Sequence, residues 1–286
     1  MKKSLLIAAF ALLYVVADAQ VQTPQASPPG AVSTTVGLTE VKIEYSRPRV
    51  KGRKIFTTDA SALVPYGKIW RTGANNGSRI SFSDDVKVEG TSVPKGEYLI
   101  LTWPGAAEWT VSLYKDINLG GDLDKYDASK DAAKFKVKPE KLSEKVETLT
   151  FNIGDISDDS KTAKVQLAWE NTSIKFSVAV DYDAKVMKSI ETATAAAKVE
   201  PNTYFQAALY YLENGKDLKK AQTWINKAAE ANPNAFWVLH QKAKIEKALG
   251  DKTAAAAAAN ASLKAAKEAN NRDYQVMNEE LLKSLK

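Results

Sequence analysis

The hydrophobic period of the chain changes once, near Asp181, and that change constrains the fold more than any other feature. Before it, apolar residues recur at every second position. The runs are Val41, Ile43 and Tyr45; Ile80 and Phe82; Val86 and Val88; Trp109, Val111 and Leu113; Phe135 and Val137; Leu149, Phe151 and Ile153; Val165, Leu167 and Trp169; then Ile174, Phe176, Val178 and Val180. Such alternation sends one set of side chains into a core and the other into water, the pattern of a half-buried strand. Turn formers separate the runs: Val93-Pro94-Lys95-Gly96, Pro104-Gly105, Gly120-Gly121, Gly154-Asp155 and Glu170-Asn171. Roughly eight or more short strands with no helices between them predict a β-rich domain over residues 31–182, an antiparallel sandwich or barrel.

After Asp181 the pattern favours helix. Alanine-rich stretches predict helices over Asp183–Lys198, Thr203–Asn214, Leu218–Ala231, Ala235–Leu249, Lys252–Ala269 and Tyr274–Leu285. Pro201, Gly215, Asn232-Pro233 and Gly250 punctuate them. Gly215 and Gly250 lie 35 positions apart, close to the roughly 34-residue period of a tetratricopeptide unit. Ala208, Leu212, Ala221, Ile225, Ala228 and Pro233 resemble the small/large/Pro spacing of one such unit. The second copy is poorer: Ala243 fits, but Glu246 stands where an apolar residue is usual. Residues 183–286 thus read as an all-α, tetratricopeptide-like helical-repeat tail; a plain antiparallel bundle is the other reading.

The start of the chain predicts export. Lys2 and Lys3 precede an apolar run, Leu5 to Val16, and Ala17-Asp18-Ala19 supplies an A-x-A-like cleavage pattern. A signal peptide over residues 1–19 follows, with a mature chain from Gln20 that carries no integral membrane segment. Residues 20–30, rich in Pro, Gln and Ser, read as a linker. The expected location is periplasmic, with an extracellular one open. The chain has no cysteine, which excludes disulfides, thiol nucleophiles and Cys-ligated zinc. Lys and Arg number 40 against 34 Asp and Glu, and they are spread thinly rather than gathered into a stripe, which argues against nucleic acid as partner.

One segment concentrates basic and aromatic side chains. YSRPRVKGRKIF followed by LVPYGKIWRTGANN brings together Tyr45, Arg47, Arg49, Lys51, Arg53, Lys54, Tyr66, Lys68, Trp70, Arg71 and Asn75. Guanidinium groups fork onto carboxylate or phosphate, and aromatic faces stack on sugars. Candidate ligand-binding residues are therefore Tyr45, Arg47, Lys51, Arg53, Tyr66, Trp70, Arg71 and Asn75, for an anionic or sugar ligand. The competing reading is structural: two long loops tied down by Arg–carbonyl and Trp–core contacts. Aspartates in Gly121–Asp127 and Asp155–Asp159 do not match the spacing of a calcium loop. No metal and no cofactor are expected. The only histidine, His240, lies in a predicted helix, and no G-x-S-x-G, H-E-x-x-H or phosphate-loop motif occurs, so no catalytic residue is assigned.

The same strings, with the hairpin VPKGEYLILTWPGAAEWTV, resemble the exported family known as domain of unknown function 2911, found mostly in Bacteroidetes-like bacteria. The resemblance runs from about Pro28 to Asp181 and implies a β-rich fold and a periplasmic setting; it points to no particular activity. Relatives often carry an acidic residue shortly after the GAN string; here Asn76-Gly77-Ser78 follows. The favoured functional reading is a non-catalytic binding or adaptor protein whose tail holds an envelope protein or peptide. The others are an envelope carbohydrate hydrolase using carboxylates such as Glu97, Glu108 and Glu170, and a purely structural envelope protein.

Overall fold

The computed structural model describes residues 23–286. The predicted signal peptide and the first residues of the predicted linker lie outside the described residues. The chain divides into two compact units between Asp181 and Tyr182. No helix among the described residues is long and apolar enough to cross a membrane.

The first unit holds two antiparallel sheets. One has six strands in the order β1 (Pro29–Val36), β2 (Thr39–Ser46), β3 (Ser78–Phe82), β6 (Gly96–Trp103), β7 (Trp109–Tyr114) and β8 (Asp131–Val137). The other has four: β5 (Thr91–Val93), β4 (Val86–Val88), β10 (Thr162–Val180) and β9 (Glu140–Gly154). Alternation along β2 buries Val41, Ile43 and Tyr45, and along β10 it buries Val165, Leu167, Trp169, Phe176 and Val178. The two apolar faces meet: Tyr45 packs edge-on to Phe151 at 4.9 Å between ring centres, and Phe135 lies 5.3 Å from Phe176. The unit is a sandwich of two open sheets.

Three elements depart from the alternation pattern, each for a physical reason. Strand β1 begins at Pro29, inside the segment read as linker, because its backbone pairs with β2 from Pro29↔Ser46 onward. Strand β6 contains the consecutive buried residues Tyr98, Leu99, Ile100 and Leu101, so it has no polar face to reveal. Its second face is covered: Leu99 and Leu101 cluster with Tyr114 and Leu119, and Ile69, Trp103, Leu123 and Tyr126 pack against them. At Glu170-Asn171, where a turn is expected, β10 continues through a bulge against β9. Glu170 takes a left-handed φ of 58°, and its carboxylate accepts from the Asn171 backbone N–H at 2.5 Å and side-chain amide at 2.6 Å. A local turn-like bond thus forms without ending the strand.

Residues 47–77, between β2 and β3, are the long irregular segment of the unit, and aromatic burial anchors them. Phe56, at a φ of 52°, stands 4.6 Å from Trp109, 5.6 Å from Trp70 and 5.9 Å from Trp169. Trp70 stacks on Trp169 at 5.7 Å with 16° between planes. Trp70 also exchanges backbone hydrogen bonds with Thr102 of β6, at 2.8 and 2.9 Å.

The second unit is six helices: α1 (Asp183–Thr194), α2 (Pro201–Glu213), α3 (Leu218–Ala231), α4 (Phe236–Ala248), α5 (Lys252–Glu268) and α6 (Arg272–Lys283). Asp217, Asp251 and Asn271 cap α3, α5 and α6 by accepting backbone N–H groups of their first turns. Consecutive helices pack together, and α2 also touches α4 as α4 touches α6. These three therefore form one row of a stacked array. Small buried residues, among them Ala208, Ala221, Ala228, Ala243, Ala259 and Ala266, let the helices approach. Glu246, at the position expected to be apolar, is 3% exposed, and its carboxylate accepts from Gln222 of α3 at 2.7 Å. A donor supplied by the neighbouring helix makes the buried acid tolerable.

Truncating the inter-sheet aromatic cluster should be costly. Trp169→Ala is expected to lose about 3–5 kcal/mol in the unfolding of the β unit. Trp237→Ala, at a residue 44% exposed in α4, should change stability by no more than about 0.5 kcal/mol. Urea titration of the full chain followed by circular dichroism measures both; equal losses would show that the cluster is not the anchor.

Candidate functional site

The basic-aromatic segment is divided by the fold into an inward and an outward half. Trp70 is buried, with its indole N–H donating to the Gly73 carbonyl at 3.2 Å, and its faces belong to the inter-sheet cluster. Tyr45 is buried too; its hydroxyl accepts the Phe151 backbone N–H at 3.2 Å. Arg47 reaches the Leu149 carbonyl and the Thr150 hydroxyl, at 3.4 and 3.3 Å. A Cβ on Gly30 would stand 2.8 Å from its Cδ, so the Arg47 stem lies across that glycine. Arg53 gives its Nε–H to the Val50 carbonyl at 3.1 Å and a terminal N–H to the Arg49 carbonyl. Lys51 is exposed at a φ of 48°, and its backbone N–H bonds to Glu147 at 2.9 Å. Tyr66 is half-buried, its N–H held by the Thr57 carbonyl at 2.9 Å. Asn75 is exposed, and its amide donates to the Ser46 hydroxyl at 3.0 Å.

Of the eight candidate residues, Tyr45 and Asn75 border a common cleft, of about 390 Å³. Its other walls are Pro29, Glu44, Ser46, Asn76, Gly77, Arg79 and Glu97. Arg47, Lys51, Arg53, Tyr66, Trp70 and Arg71 are not among them. Glu44 on β2 and Arg79 on β3 are the outward members of alternating strands, Glu97 stands at the start of β6 before its buried run, and Arg79 lies 3.6 Å from Glu97. Period two marks Glu44 and Arg79 as outward, but register alone brings the three together. Glu108 pairs with Lys136 at 2.7 Å and Glu170 sits at the bulge, so Glu97 is the one of these three carboxylates on the cleft.

The loop aspartates serve their own loops. Asp122 pairs with Lys125 at 2.8 Å, Asp127 accepts the Ser129 N–H at 2.9 Å, and Asp159 accepts the Lys161 N–H at 3.0 Å. Their carboxyls are held below the usual carboxylate range chiefly by these bonds and, at Asp159, first by one from Ser157. Among the described residues no group of three or more His, Cys, Asp or Glu is placed to hold a metal ion.

The helical unit carries a larger groove, of about 620 Å³. It is lined by Leu212 of α2, by His240, Lys244, Lys247 and Ala248 of α4, and by Met277, Glu280, Leu281 and Ser284 at α6. Every wall therefore comes from the α2–α4–α6 row. The i, i+4, i+7, i+8 spacing on α4 and the i, i+3, i+4, i+7 spacing on α6 put each set on one helix face. Leu212, Ala248, Met277 and Leu281 supply apolar surface, and Lys244 and Lys247 supply charge.

His240 is held at this groove by a buried polar chain. Asn278 donates to the Tyr274 carbonyl at 2.6 Å and to the Ser262 hydroxyl at 2.8 Å, and Ser262 donates to the Phe236 carbonyl at 2.7 Å. A carbonyl only accepts, so the Asn278 atom facing it is the amide nitrogen. The Asn278 oxygen then faces His240 Nδ1 at 2.8 Å and accepts its proton. The neutral imidazole is thus fixed with Nδ1 protonated and an Nε2 lone pair. Burial pushes the His240 pKa below the usual histidine range; the Asn278 bond opposes this and Lys244 adds to it. Alternation and helix period do not reveal this arrangement, because its parts come from three helices.

Comparisons with known proteins add the following. Residues 27–178, just over half of the chain, match the family model described as protein of unknown function (DUF2911). No curated protein matches. The solution structure of protein BPP2914 from Bordetella parapertussis is similar at 18% identity, covering 35% of this chain and 86% of that one, with a TM-score of 0.32, a likeness too slight to carry an argument.

The buried imidazole has a consequence for stability. A histidine whose folded pKa lies below its unfolded value of about 6.5 stabilises the neutral fold above that pH, and the contribution fades as pH falls through it. The stability gap between the full chain and its His240→Gln variant should therefore narrow between pH 7.5 and 5. Thermal melts followed by circular dichroism read it; parallel curves would contradict the burial argument.

Proposed function

We propose, from the premise that the chain belongs to this family of proteins of unknown function, that it is a non-catalytic binding protein of the bacterial envelope. Its helical unit holds an extended, acidic segment of a partner polypeptide. The observation that carries this reading is the groove lined solely by the α2–α4–α6 row. An apolar floor with two lysines on one side suits a peptide that buries apolar side chains and carries carboxylates beside them. Charge balance points the same way: the groove has Lys244 and Lys247 against Glu280, and residues 182–286 carry sixteen Lys and Arg against twelve Asp and Glu. The signal-like start, Lys2 to Ala19, supports the envelope as the place of work.

The test is fluorescence anisotropy of the mature chain, Gln20–Lys286, with extended peptides of acidic, neutral and basic composition. Acidic peptides with interspersed apolar residues are expected to bind, more weakly as salt rises. Lys244→Glu should weaken them about tenfold, the equivalent of about 1.4 kcal/mol, and Met277→Glu should also weaken them, both with unchanged circular dichroism. Binding of no peptide class, or binding indifferent to both substitutions, would remove the reading.

A further inference from the structure

The five arginines of the β unit are Arg47, Arg49, Arg53, Arg71 and Arg79, and four of them have acceptors. Arg47 bonds to Leu149 and Thr150, and Arg53 to Val50 and Arg49, while Arg49 faces Glu147 at 3.9 Å and Arg79 faces Glu97. Arg71 differs. Its Nε is buried and has no hydrogen-bond partner, and its terminal nitrogens meet no carboxylate or carbonyl among the described residues. A guanidinium stays charged at any working pH, so a half-buried one with an unclaimed buried donor is an unbalanced charge.

The backbone holds that charge in place. The Arg71 carbonyl accepts the Ser78 N–H at 3.2 Å, closing a tight excursion through Thr72, Gly73, Asn75 and Gly77, all at positive φ. A Cβ on Gly77 would stand 2.8 Å from the Arg71 oxygen and 3.2 Å from its Cβ, so only glycine lets the chain pass so close. The far end of the side chain reaches the loop after β7. A Cβ on Gly121 would find Arg71 Nη1 at 3.6 Å and, apart from its own chain neighbours, no other atom within 4 Å, which leaves open space beside the guanidinium. In that loop Leu119 donates to Asp116, Asp122 to Leu119 and Leu123 to Gly121, but the Gly120 and Gly121 N–H groups donate to nothing among the described residues. Two neighbouring acids are already neutralised: Asp116 by Lys130 at 2.9 Å and Asp122 by Lys125 at 2.8 Å. Asp124 remains exposed on the same loop.

We propose that Arg71, with the free N–H groups of Gly120 and Gly121, forms a binding site for an oxyanion, either a carboxylate or a phosphate. The guanidinium fork matches two oxygens of one group, and successive backbone N–H groups add uncharged donors. The site lies in the β unit and stands or falls independently of the helical groove.

The experiment is a thermal melt of the full mature chain with inorganic phosphate, with galacturonate, or with chloride at matched ionic strength. A bound oxyanion raises the β-unit transition progressively with concentration, and chloride does not. A response to phosphate alone assigns a phosphate ester; a response to galacturonate alone assigns a carboxylate. Arg71→Lys and Gly121→Val should each abolish most of the shift. Gly121 has no positive φ, so valine fits its backbone and fills the open space; that variant decides the matter even if Arg71→Lys does not fold. No upshift with either anion, or the same upshift in both variants, overturns the proposal.

Discussion

The β unit depends on one contact set, the packing of Phe56 and Trp70 against Trp109 and Trp169. Trp109 comes from the six-stranded sheet and Trp169 from the four-stranded one, while Phe56 and Trp70 come from the segment that belongs to neither. The cluster thus joins both sheets and anchors a connection that, at residues 47–77, would otherwise be too long to stay ordered in a compact domain. Aromatic rings bury large areas and prefer edge-to-face or offset contacts, so they fix position as well as supplying attraction. Phe56 accepts a left-handed backbone conformation to deliver its ring there, a strain that only strong packing sustains.

Once the aromatic members are drawn inward, the cations between them have short tethers and few places to go. Arg53 answers the carbonyls of Val50 and Arg49, which an irregular segment exposes because it has no ladder partner, while Arg47 reaches across to Leu149 and Thr150 of β9. One arginine of YSRPRVKGRKIF thus serves the hydrogen-bond accounting of its own loop, and another ties that loop to the opposite sheet. Lys51 contributes its left-handed backbone more than its charge. Arg71 falls after the aromatic anchor, where the chain turns back into β3, and the carbonyls there are already taken by Ser78 and Trp70.

Elements with one wet face and one dry face were legible in the sequence, and helix α3 matches its expected span, Leu218–Ala231. What escaped had two faces covered or depended on register. Strand β6 is buried on both sides by the sheet opposite and by the loop after β7, so no alternation survives. The bulge at Glu170 reads as a turn because Glu-Asn can satisfy itself locally in either setting. The segment YSRPRVKGRKIF was legible as unusual but not as divided, since composition records that arginine and tryptophan are close in sequence and not which way each points. Cleft and groove were illegible for the same reason: Glu44, Arg79 and Glu97 meet across three strands, and Leu212, Lys244 and Leu281 across three helices.

Unsatisfied valence marks the open position in the β unit. Buried polar atoms are nearly always paired, so an atom left over after the pairing is informative. In the helical unit the chain Phe236–Ser262–Asn278–His240 instead pairs its buried members and fixes the histidine at the groove through Nδ1. In the β unit Arg71 is the one charged side chain among the described residues with a buried atom that lacks a partner. The other such atoms belong to Trp109, Asn226 and Gln241, whose neutral groups are far cheaper to leave unpaired than a guanidinium. A fold that answers four of five arginines and leaves the fifth beside open space and free N–H groups has the means to neutralise a charge and does not apply it there.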